Sequence, residues 1–144
     1  MNKRNEVKIE FLSKSENEGF SRMVVASLVS QLDPTIEEMN DVKTAVSEAV
    51  TNCIVHAYNG KTGYIFLECI LYDNEIYISI KDNGRGIENV KKAREPLFTT
   101  NTDMERSGMG FTVMETFMDT VNVDSIVGVG TKVTMTKKIC ANRL

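Results

Sequence analysis

Three short motifs of polar residues and glycines follow one another along this chain. In order they are Glu48-Ala49-Val50-Thr51-Asn52, Asp82-Asn83-Gly84-Arg85-Gly86 and Ser107-Gly108-Met109-Gly110-Phe111. The first lies within a helical pattern, the second directly follows an alternating strand pattern, and the third precedes a helical pattern. We interpret the ordered set as a helix face, a strand end and a glycine turn that the fold brings to one place.

The spacing of the apolar residues predicts one α/β domain over residues 1–144, an α+β two-layer sandwich. Strands are predicted near residues 7–12, 63–72, 75–81, 121–124 and 131–138, and helices near residues 15–32, 35–59 and 110–117. We expect a mixed, mostly antiparallel sheet with helices covering one face. Residues of about 88–107 are polar with little predicted structure, which is typical of a lid over a functional site.

Composition argues against several classes of protein. The net charge of -3 argues against nucleic acid as the main partner, because such binding depends on phosphate neutralisation by Lys and Arg. No apolar run approaches the ~20 residues of a membrane-spanning helix, so we expect no membrane partner and a cytoplasmic location. Cys53, Cys69 and Cys140 are odd in number and contain no Cys-x-x-Cys pair. Reduced, mostly buried thiols are therefore expected in place of a zinc site.

Glu48 and Asn52 are one helical turn apart and share a face of the second predicted helix. An asparagine amide oxygen is a hard ligand of the kind that Mg²⁺ accepts beside phosphate oxygens and water. A neighbouring carboxylate can deprotonate an attacking hydroxyl or hold a metal-bound water. Taken alone, the pair is equally consistent with solvated polar residues on an amphipathic helix.

Asp82, with Gly84 and Gly86 after it, directly follows a strand pattern. An ionised aspartate only accepts hydrogen bonds, which matches the exocyclic amino group of adenine. The glycines permit a close approach of the backbone and a positive φ. The alternative for this motif alone is an ordinary Asp-Asn-Gly turn that ends a strand.

The segment Ser107-Gly108-Met109-Gly110 precedes the last predicted helix. Backbone N–H groups at a helix N-terminus, without bulky side chains nearby, form an anion site suited to phosphates. The sequence is neither a Walker loop nor a dinucleotide fingerprint. Alone it is equally consistent with a flexible hinge. The three motifs together, however, predict a nucleotide pocket with a metal, a purine anchor and a phosphate loop.

With its motifs in this order and a long lid between the glycine pairs, the chain resembles the ATPase/kinase superfamily of gyrase, histidine kinases and MutL (GHKL). Within that superfamily it is similar to the anti-sigma-F factors of endospore-forming bacteria, which are serine protein kinases. The matching stretches are Gln31–Thr35, Val46–Asn52, His56–Tyr58, Glu95–Thr100 and Glu105–Phe111. The resemblance extends to about Ile139.

The resemblance implies a role for each matching residue. It makes Glu48 the base for a substrate serine, Asn52 the Mg²⁺ ligand, and Arg106 a lid residue that neutralises the γ-phosphate. The remaining contacts with ATP are implied for Asp82, Gly84, Gly86, Thr99, Thr100, Ser107, Gly108, Met109, Gly110 and Thr131.

The resemblance also implies partners. They are the sporulation sigma factor F, which the ATP-bound protein would inhibit, and an anti-anti-sigma antagonist, on which it would phosphorylate a serine. Glu18 and Arg22 on the first helix match positions that contact these partners. A homodimer formed through the first strand and helix is expected as well.

Three other interpretations fit the same pocket. A sibling switch kinase would control a stress-response sigma factor. A catalytic fragment of a histidine kinase is disfavoured because no dimerisation helix with an acceptor histidine precedes the pocket. A non-enzymatic interaction module would retain the fold without turnover, but Glu48, Asn52, Asp82 and both glycine pairs are all present.

Overall fold

The computed structural model describes residues 2–95 and 102–139, with the side chains of 102–109 excepted. The strands are β1 Asn5–Leu12, β2 Tyr64–Leu71, β3 Glu75–Asp82, β4 Thr120–Ile126 and β5 Gly130–Lys138. The α-helices are α1 Glu16–Val29, α2 Ile36–Asn52, α3 Val90–Ala93 and α4 Thr102–Phe117. A 3₁₀ turn, Ser30–Leu32, follows α1, and a π-helical turn, Cys53–Ala57, follows α2.

The five strands form one sheet in the order β1-β2-β3-β5-β4. Each neighbouring pair among them is antiparallel. The return of β5 between β3 and β4 places the end of β3 beside the start of β5, so that Asp82 lies opposite Thr131. The predicted sheet with helices on one face is confirmed, and its described strands contain no parallel pair.

The core lies between the helices and one face of the sheet. Alternation along β2 and β3 turns the apolar residues Ile65, Leu67, Cys69, Ile76 and Ile78 to this face, where they are buried. Helix α2 meets the sheet with a stripe at helical spacing, namely Val42, Ala45, Val46, Ala49 and Val50. The other face of the sheet is polar. There Lys8 pairs with Glu68 at 3.3 Å, and the Nζ of Lys81 lies 5.8 Å from the Phe66 ring centroid.

Local chemistry sets the ends of the first two helices. Asp33 precedes Pro34 and has φ 54, which ends the helical run, since a residue before proline is disfavoured in helical geometry. Thr35 and Glu38 form a capping box: the Thr35 side chain accepts from the Glu38 N–H at 3.1 Å, and the Glu38 carboxylate accepts from the Thr35 N–H at 3.0 Å.

The last helix differs from the prediction. It was expected to begin at Gly110, but α4 begins at Thr102 and includes the whole segment that was predicted as a phosphate loop, Ser107–Gly110. Intrahelical hydrogen bonds satisfy the backbone there, and Met104, Glu105 and Arg106 are good helix formers that offset the helix cost of Gly108 and Gly110. Residues 96–101 of the predicted lid lie outside the described residues. None of the described helices is long and apolar enough to cross a membrane.

Candidate nucleotide site

Asp82 is a buried carboxylate at the end of β3, with 4% of its surface exposed. Its Oδ1 accepts the backbone N–H of Gly84 at 2.9 Å and that of Thr131 at 3.2 Å. A buried charge requires such donors because burial removes its hydration. The side chain is therefore fixed in orientation, as an adenine anchor has to be.

The glycines after Asp82 are required by contacts with other parts of the protein. A Cβ on Gly84 would lie 2.6 Å from the Cβ of Ala57, in the π-helical turn. Gly86 has φ 78, and a Cβ there would lie 2.5 Å from the carbonyl oxygen of Ile126. The loop is thus held closely between the π-helical turn and the β4–β5 turn. The close approach predicted from these glycines is therefore an approach to other backbone segments of the protein.

Hydroxyl groups hold the β4–β5 side of the loop. Ser125 Oγ lies 2.8 Å from Oγ1 of Thr131 and accepts the backbone N–H of Ile87 at 2.8 Å. Gly128 donates its N–H to the carbonyl of Arg85 at 2.8 Å. Thr131, predicted to close the adenine site, therefore lies beside Asp82 and within the same hydrogen-bonded unit.

Helices α2 and α4 meet beside Glu48, the predicted base, and Asn52, the predicted metal ligand. A Cβ on Gly110 would lie 3.4 Å from Oε2 of Glu48 and 3.4 Å from both Oδ1 and Nδ2 of Asn52. The absence of a side chain at residue 110 thus keeps open the space around the carboxylate and the amide. The structure brings Glu48, Asn52 and Gly110 together, as the three motifs predicted.

The π-helical turn joins the α2 residues to the Asp82 loop. Its first residue, Cys53, directly follows Asn52 and is buried. Burial, followed by the nearby charge of Asp82, raises the pKa of Cys53 well above its usual range. At the other end of the turn, the carbonyl of Ala57 accepts the N–H of Arg85 at 3.0 Å.

Tyr58 and His56 support the loop from the same turn. The hydroxyl of Tyr58 donates to the carbonyl of Tyr64 at 2.5 Å and accepts the N–H of Asn83 at 2.8 Å. His56 is half-buried, and burial together with the neighbouring Arg85 guanidinium lowers its pKa. No site role was predicted for His56 or Tyr58; their place in the stretch His56–Tyr58, which matches the family, was the available signal.

Several predicted site residues cannot be placed as side chains. Thr99 and Thr100 lie outside the described residues. The backbones of Arg106, Ser107, Gly108 and Met109 belong to α4, and nothing further is described for them. Their assigned contacts with ATP stay predictions.

The predicted partner-binding residues lie on one face of α1. Arg22 Nη1 pairs with Glu18 Oε2 at 3.7 Å, one helical turn away. Phe20 and Met23 on the same helix are more than half exposed, at 52% and 57%. Phe20 also makes an edge-to-face contact with Phe11 at a centroid distance of 6.5 Å.

The side-chain oxygens of Asn52 and Glu48 suit a metal ion that takes most of its other ligands from a nucleotide and water. Among the described residues there is no cluster of three or more His, Cys, Asp or Glu side chains that could hold a metal ion. Asn52 contributes a single hard oxygen next to Glu48, in the space left open by Gly110. Mg²⁺ fits such a site because it keeps several waters and takes the rest of its ligands from phosphates.

Comparison with solved structures supports the fold. The RsbU and RsbW domains of a Mycobacterium tuberculosis protein superpose with a TM-score of 0.68 at 17% identity, covering 94% of this chain and 32% of that one. The histidine kinase domain of a blue-light activated kinase from Erythrobacter litoralis gives a TM-score of 0.55 at 19% identity. The likeness covers 85% of this chain and 61% of that one. Both likenesses concern the fold alone.

Sequence comparison shows the family. The model of the histidine kinase-like ATPase domain matches residues 13–137, which makes this an ATP-binding domain. A protein named anti-sigma F factor from Caldanaerobacter subterraneus subsp. tengcongensis is 59% identical over 96% of this chain and 97% of its own length. A protein of the same name from Clostridium acetobutylicum is 56% identical over 93% of this chain and 94% of its own length. The chain belongs to the anti-sigma F factor family, within the histidine kinase-like ATPases.

Proposed function

We propose that this protein is an anti-sigma factor and serine kinase that binds ATP with Mg²⁺. In the ATP-bound form it holds the sporulation sigma factor F, and it phosphorylates a serine of an anti-anti-sigma antagonist. The observation that carries the proposal is the convergence of Glu48 and Asn52 from α2 with Gly110 from α4, together with a buried Asp82 at the end of β3. The relatives named anti-sigma F factor support the choice of partners.

Asp82 provides the recognition of adenine in this proposal. Its carboxylate offers only acceptors, and two backbone N–H groups orient it. The amino group at C6 of adenine is a donor and matches the remaining acceptor capacity. Guanine carries a carbonyl oxygen at the same position, which would face the carboxylate as a second acceptor. We therefore expect ATP to be preferred over GTP.

Asn52 and Glu48 act at the phosphate end. The amide oxygen of Asn52 would hold Mg²⁺, which supplies positive charge to the phosphate oxygens. The Glu48 carboxylate accepts the proton of the serine hydroxyl as the serine oxygen bonds to the γ-phosphorus and the bond to the ADP oxygen breaks. Phosphoryl transfer is catalysed mainly by positioning and charge neutralisation, so a closely packed α2–α4 junction suits it. Arg106 is assigned to neutralise γ-phosphate charge from the lid.

Helix α1 provides the surface for protein partners. It combines the Glu18–Arg22 pair with the exposed side chains of Phe20 and Met23. Exposed apolar residues beside charged ones are typical of a protein–protein interface. A homodimer through β1 and α1, and a cytoplasmic location, belong to the same proposal.

A labelling experiment tests the enzymatic part. The protein is incubated with ATP labelled at the γ-phosphate, Mg²⁺ and the antagonist. We expect one serine of the antagonist to become labelled, and an antagonist with alanine at that serine to stay unlabelled. ATP binding without any transfer would contradict the kinase and favour a non-catalytic interaction module.

A capture experiment tests the choice of partner. Immobilised protein with ATP is expected to retain sigma factor F and to release it to the unphosphorylated antagonist. Arg22→Glu should abolish capture without affecting ATP affinity, whereas Lys91→Glu on α3 is a matched charge reversal that should preserve both. Retention of a stress-response sigma factor instead would identify the sibling switch kinase.

A further inference from the structure

We infer that Tyr58 is a positioning residue for nucleotide recognition: its hydroxyl holds the loop after β3 so that the Asp82 carboxylate faces the amino group of adenine. The inference deepens the proposed function and rests on Asp82 being the adenine anchor. It concerns a residue outside the three motifs, directly after the π-helical turn that follows α2.

The Tyr58 hydroxyl joins two backbone segments. Its oxygen accepts the N–H of Asn83 at 2.8 Å, and it donates its proton to the carbonyl of Tyr64 at 2.5 Å. A backbone N–H can only donate and a carbonyl can only accept, so the direction of both bonds is fixed. Two hydrogen bonds in series polarise each other, which strengthens both. The hydroxyl thus ties the first residue after β3 to the first residue of β2.

The ring of Tyr58 is held independently of its hydroxyl. A Cβ on Gly63 would collide with the Tyr58 ring, so the ring packs directly on the backbone before β2. The N–H of Tyr58 donates to the carbonyl of Cys53 at 3.2 Å, and its carbonyl accepts the N–H of Lys61 at 2.9 Å. A phenylalanine at residue 58 should keep all three of these contacts. Removal of the hydroxyl therefore isolates the two hydrogen bonds that it makes.

Three successive N–H groups of the loop have defined acceptors. The Gly84 N–H donates to Oδ1 of Asp82 at 2.9 Å and so helps to orient the carboxylate. The residues on either side of it are tied to the segment that follows α2: Asn83 to the tyrosine hydroxyl, and Arg85 to the carbonyl of Ala57 at 3.0 Å. The bond from Gly84 to Asp82 thus lies between two anchors. Without the hydroxyl the peptide groups before Gly84 gain freedom, and the carboxylate loses its fixed orientation.

The bonds of the Tyr58 hydroxyl contribute position more than stability. Asn83 and Tyr64 are both exposed, so water can replace the hydroxyl as their partner. No buried polar group is left unpaired, and the fold should therefore tolerate the change. Water, however, does not hold the loop at a fixed distance from the segment after α2. Recognition of the adenine amino group should weaken, whereas contacts with the triphosphate should not.

A comparison of two nucleotides tests this inference. Affinity is measured by calorimetry, with Mg²⁺, for ATP and for purine riboside triphosphate, which lacks the amino group at C6. The wild-type protein is expected to prefer ATP. In Tyr58→Phe this preference should fall about threefold to tenfold, the equivalent of one hydrogen bond. Tyr64→Phe removes the hydroxyl of an exposed tyrosine whose carbonyl is the acceptor; it is the matched control and should keep the wild-type preference.

Hydrogen exchange shows whether the loop itself responds. The Asn83 amide should exchange about threefold to tenfold faster in Tyr58→Phe than in the wild-type protein. The Asp119 amide, which donates to the carbonyl of Thr136 at 2.9 Å, reports on the rest of the sheet and should keep its rate. Faster exchange confined to the loop would locate the effect of the hydroxyl there.

The outcomes separate positioning from packing. A purely structural role for Tyr58 would weaken both nucleotides equally, leave their ratio at the wild-type value and accelerate both amides, which would overturn the inference. Because the ratio is taken within one folded variant, a change in stability cancels. If the wild-type protein does not prefer ATP over the analogue, Asp82 is not the anchor and the inference falls with it. A wild-type preference that Tyr58→Phe retains, or that Tyr64→Phe loses equally, overturns the role of the Tyr58 hydroxyl alone.

Discussion

Thr131 donates its backbone N–H to Oδ1 of Asp82 across 3.2 Å, although the two residues are 49 positions apart in the chain. The contact exists because β5 returns beside β3 and places the two residues opposite each other. A buried carboxylate and a backbone donor are thereby held at the end of the sheet, and the loop after Asp82 contacts the π-helical turn that follows α2, the helix of Glu48 and Asn52. The candidate nucleotide site thus depends on the strand order as much as on the motifs.

Replacement of Asp82 by asparagine should weaken ATP binding by about tenfold to a hundredfold. The amide keeps one acceptor oxygen, which the N–H groups of Gly84 and Thr131 would bind, and it then turns its NH₂ donor toward the adenine amino group. Calorimetric titration with ATP and Mg²⁺ measures the change. Asp124→Asn, at an exposed position of β4, is the control and should bind as the wild type does. An unchanged affinity in Asp82→Asn would exclude the anchor.

Replacement of Glu48 by glutamine should preserve ATP affinity and reduce phosphoryl transfer to the antagonist by ~10²–10⁴-fold. The amide is nearly the same size as the carboxylate but does not accept the serine proton. Single-turnover transfer from labelled ATP measures the loss. Glu37→Gln, in the exposed first turn of the same helix, serves as the control. Full transfer by Glu48→Gln would rule out the base assignment.

Replacement of Gly110 by alanine should weaken binding of ATP with Mg²⁺ by about threefold to tenfold while the free energy of unfolding changes by less than about 1 kcal/mol. The added methyl group would lie 3.4 Å from polar atoms of Glu48 and Asn52 and fill space that the proposal gives to Mg²⁺ and phosphate. Alanine also favours a helix over glycine, so the fold should tolerate it. Affinity is measured by calorimetry, and stability by urea unfolding.

Gly19→Ala provides the control for Gly110. Gly19 also lies within a helix, but a Cβ there meets only Arg22 Nη2, at 3.8 Å. This change should stabilise the protein by about 0.5–1 kcal/mol and leave nucleotide affinity alone. Equal nucleotide affinities for both variants and the wild type would show that the α2–α4 junction is not part of the site.

The single histidine gives a direct test of pH dependence. Burial and then Arg85 lower the pKa of His56 from 6.5, so the folded protein holds the neutral imidazole. The unfolded chain binds more protons as pH falls below 6.5, and stability should therefore be lost as pH falls through the lowered pKa. Above pH 6.5 the contribution of His56 to the free energy of unfolding is fully present.

NMR titration of His56 is unambiguous, because the chain contains one histidine. The midpoint is expected below 6.5 in the wild-type protein and closer to 6.5 in Arg85→Gln, which removes the neighbouring charge. Lys81→Gln, on the polar face of the sheet, is the control and should leave the midpoint of the His56 titration unchanged. A wild-type midpoint above 6.5 would contradict the burial of a neutral ring.

The sequence predicted the features that depend on local patterns. The alternation of Ile76, Ile78 and Ile80 indicates β3, and the spacing of Thr35 and Glu38 indicates the start of α2. The motif order predicted that Glu48, Asn52 and Gly110 meet. These inferences succeed because side-chain periodicity and capping are set by residues close together in the chain.

Other features depend on contacts between distant segments and were missed. The π-helical turn at Cys53–Ala57 is bonded to Arg85 on another element, so no local pattern indicates it. The start of α4 at Thr102 was also missed, because Ser107–Gly110 was interpreted as a phosphate loop before the helix, whereas the neighbouring residues sustain a helix through it.

A crystal structure with Mg²⁺ and a non-hydrolysable ATP analogue tests the central claim most directly. We predict that the adenine amino group donates to the Asp82 carboxylate and that the amide oxygen of Asn52 binds Mg²⁺ at about 2.1 Å. We also predict that the γ-phosphate lies on the Glu48 side of the α2–α4 junction. An analogue bound elsewhere, or an adenine that makes no contact with Asp82, would contradict the account.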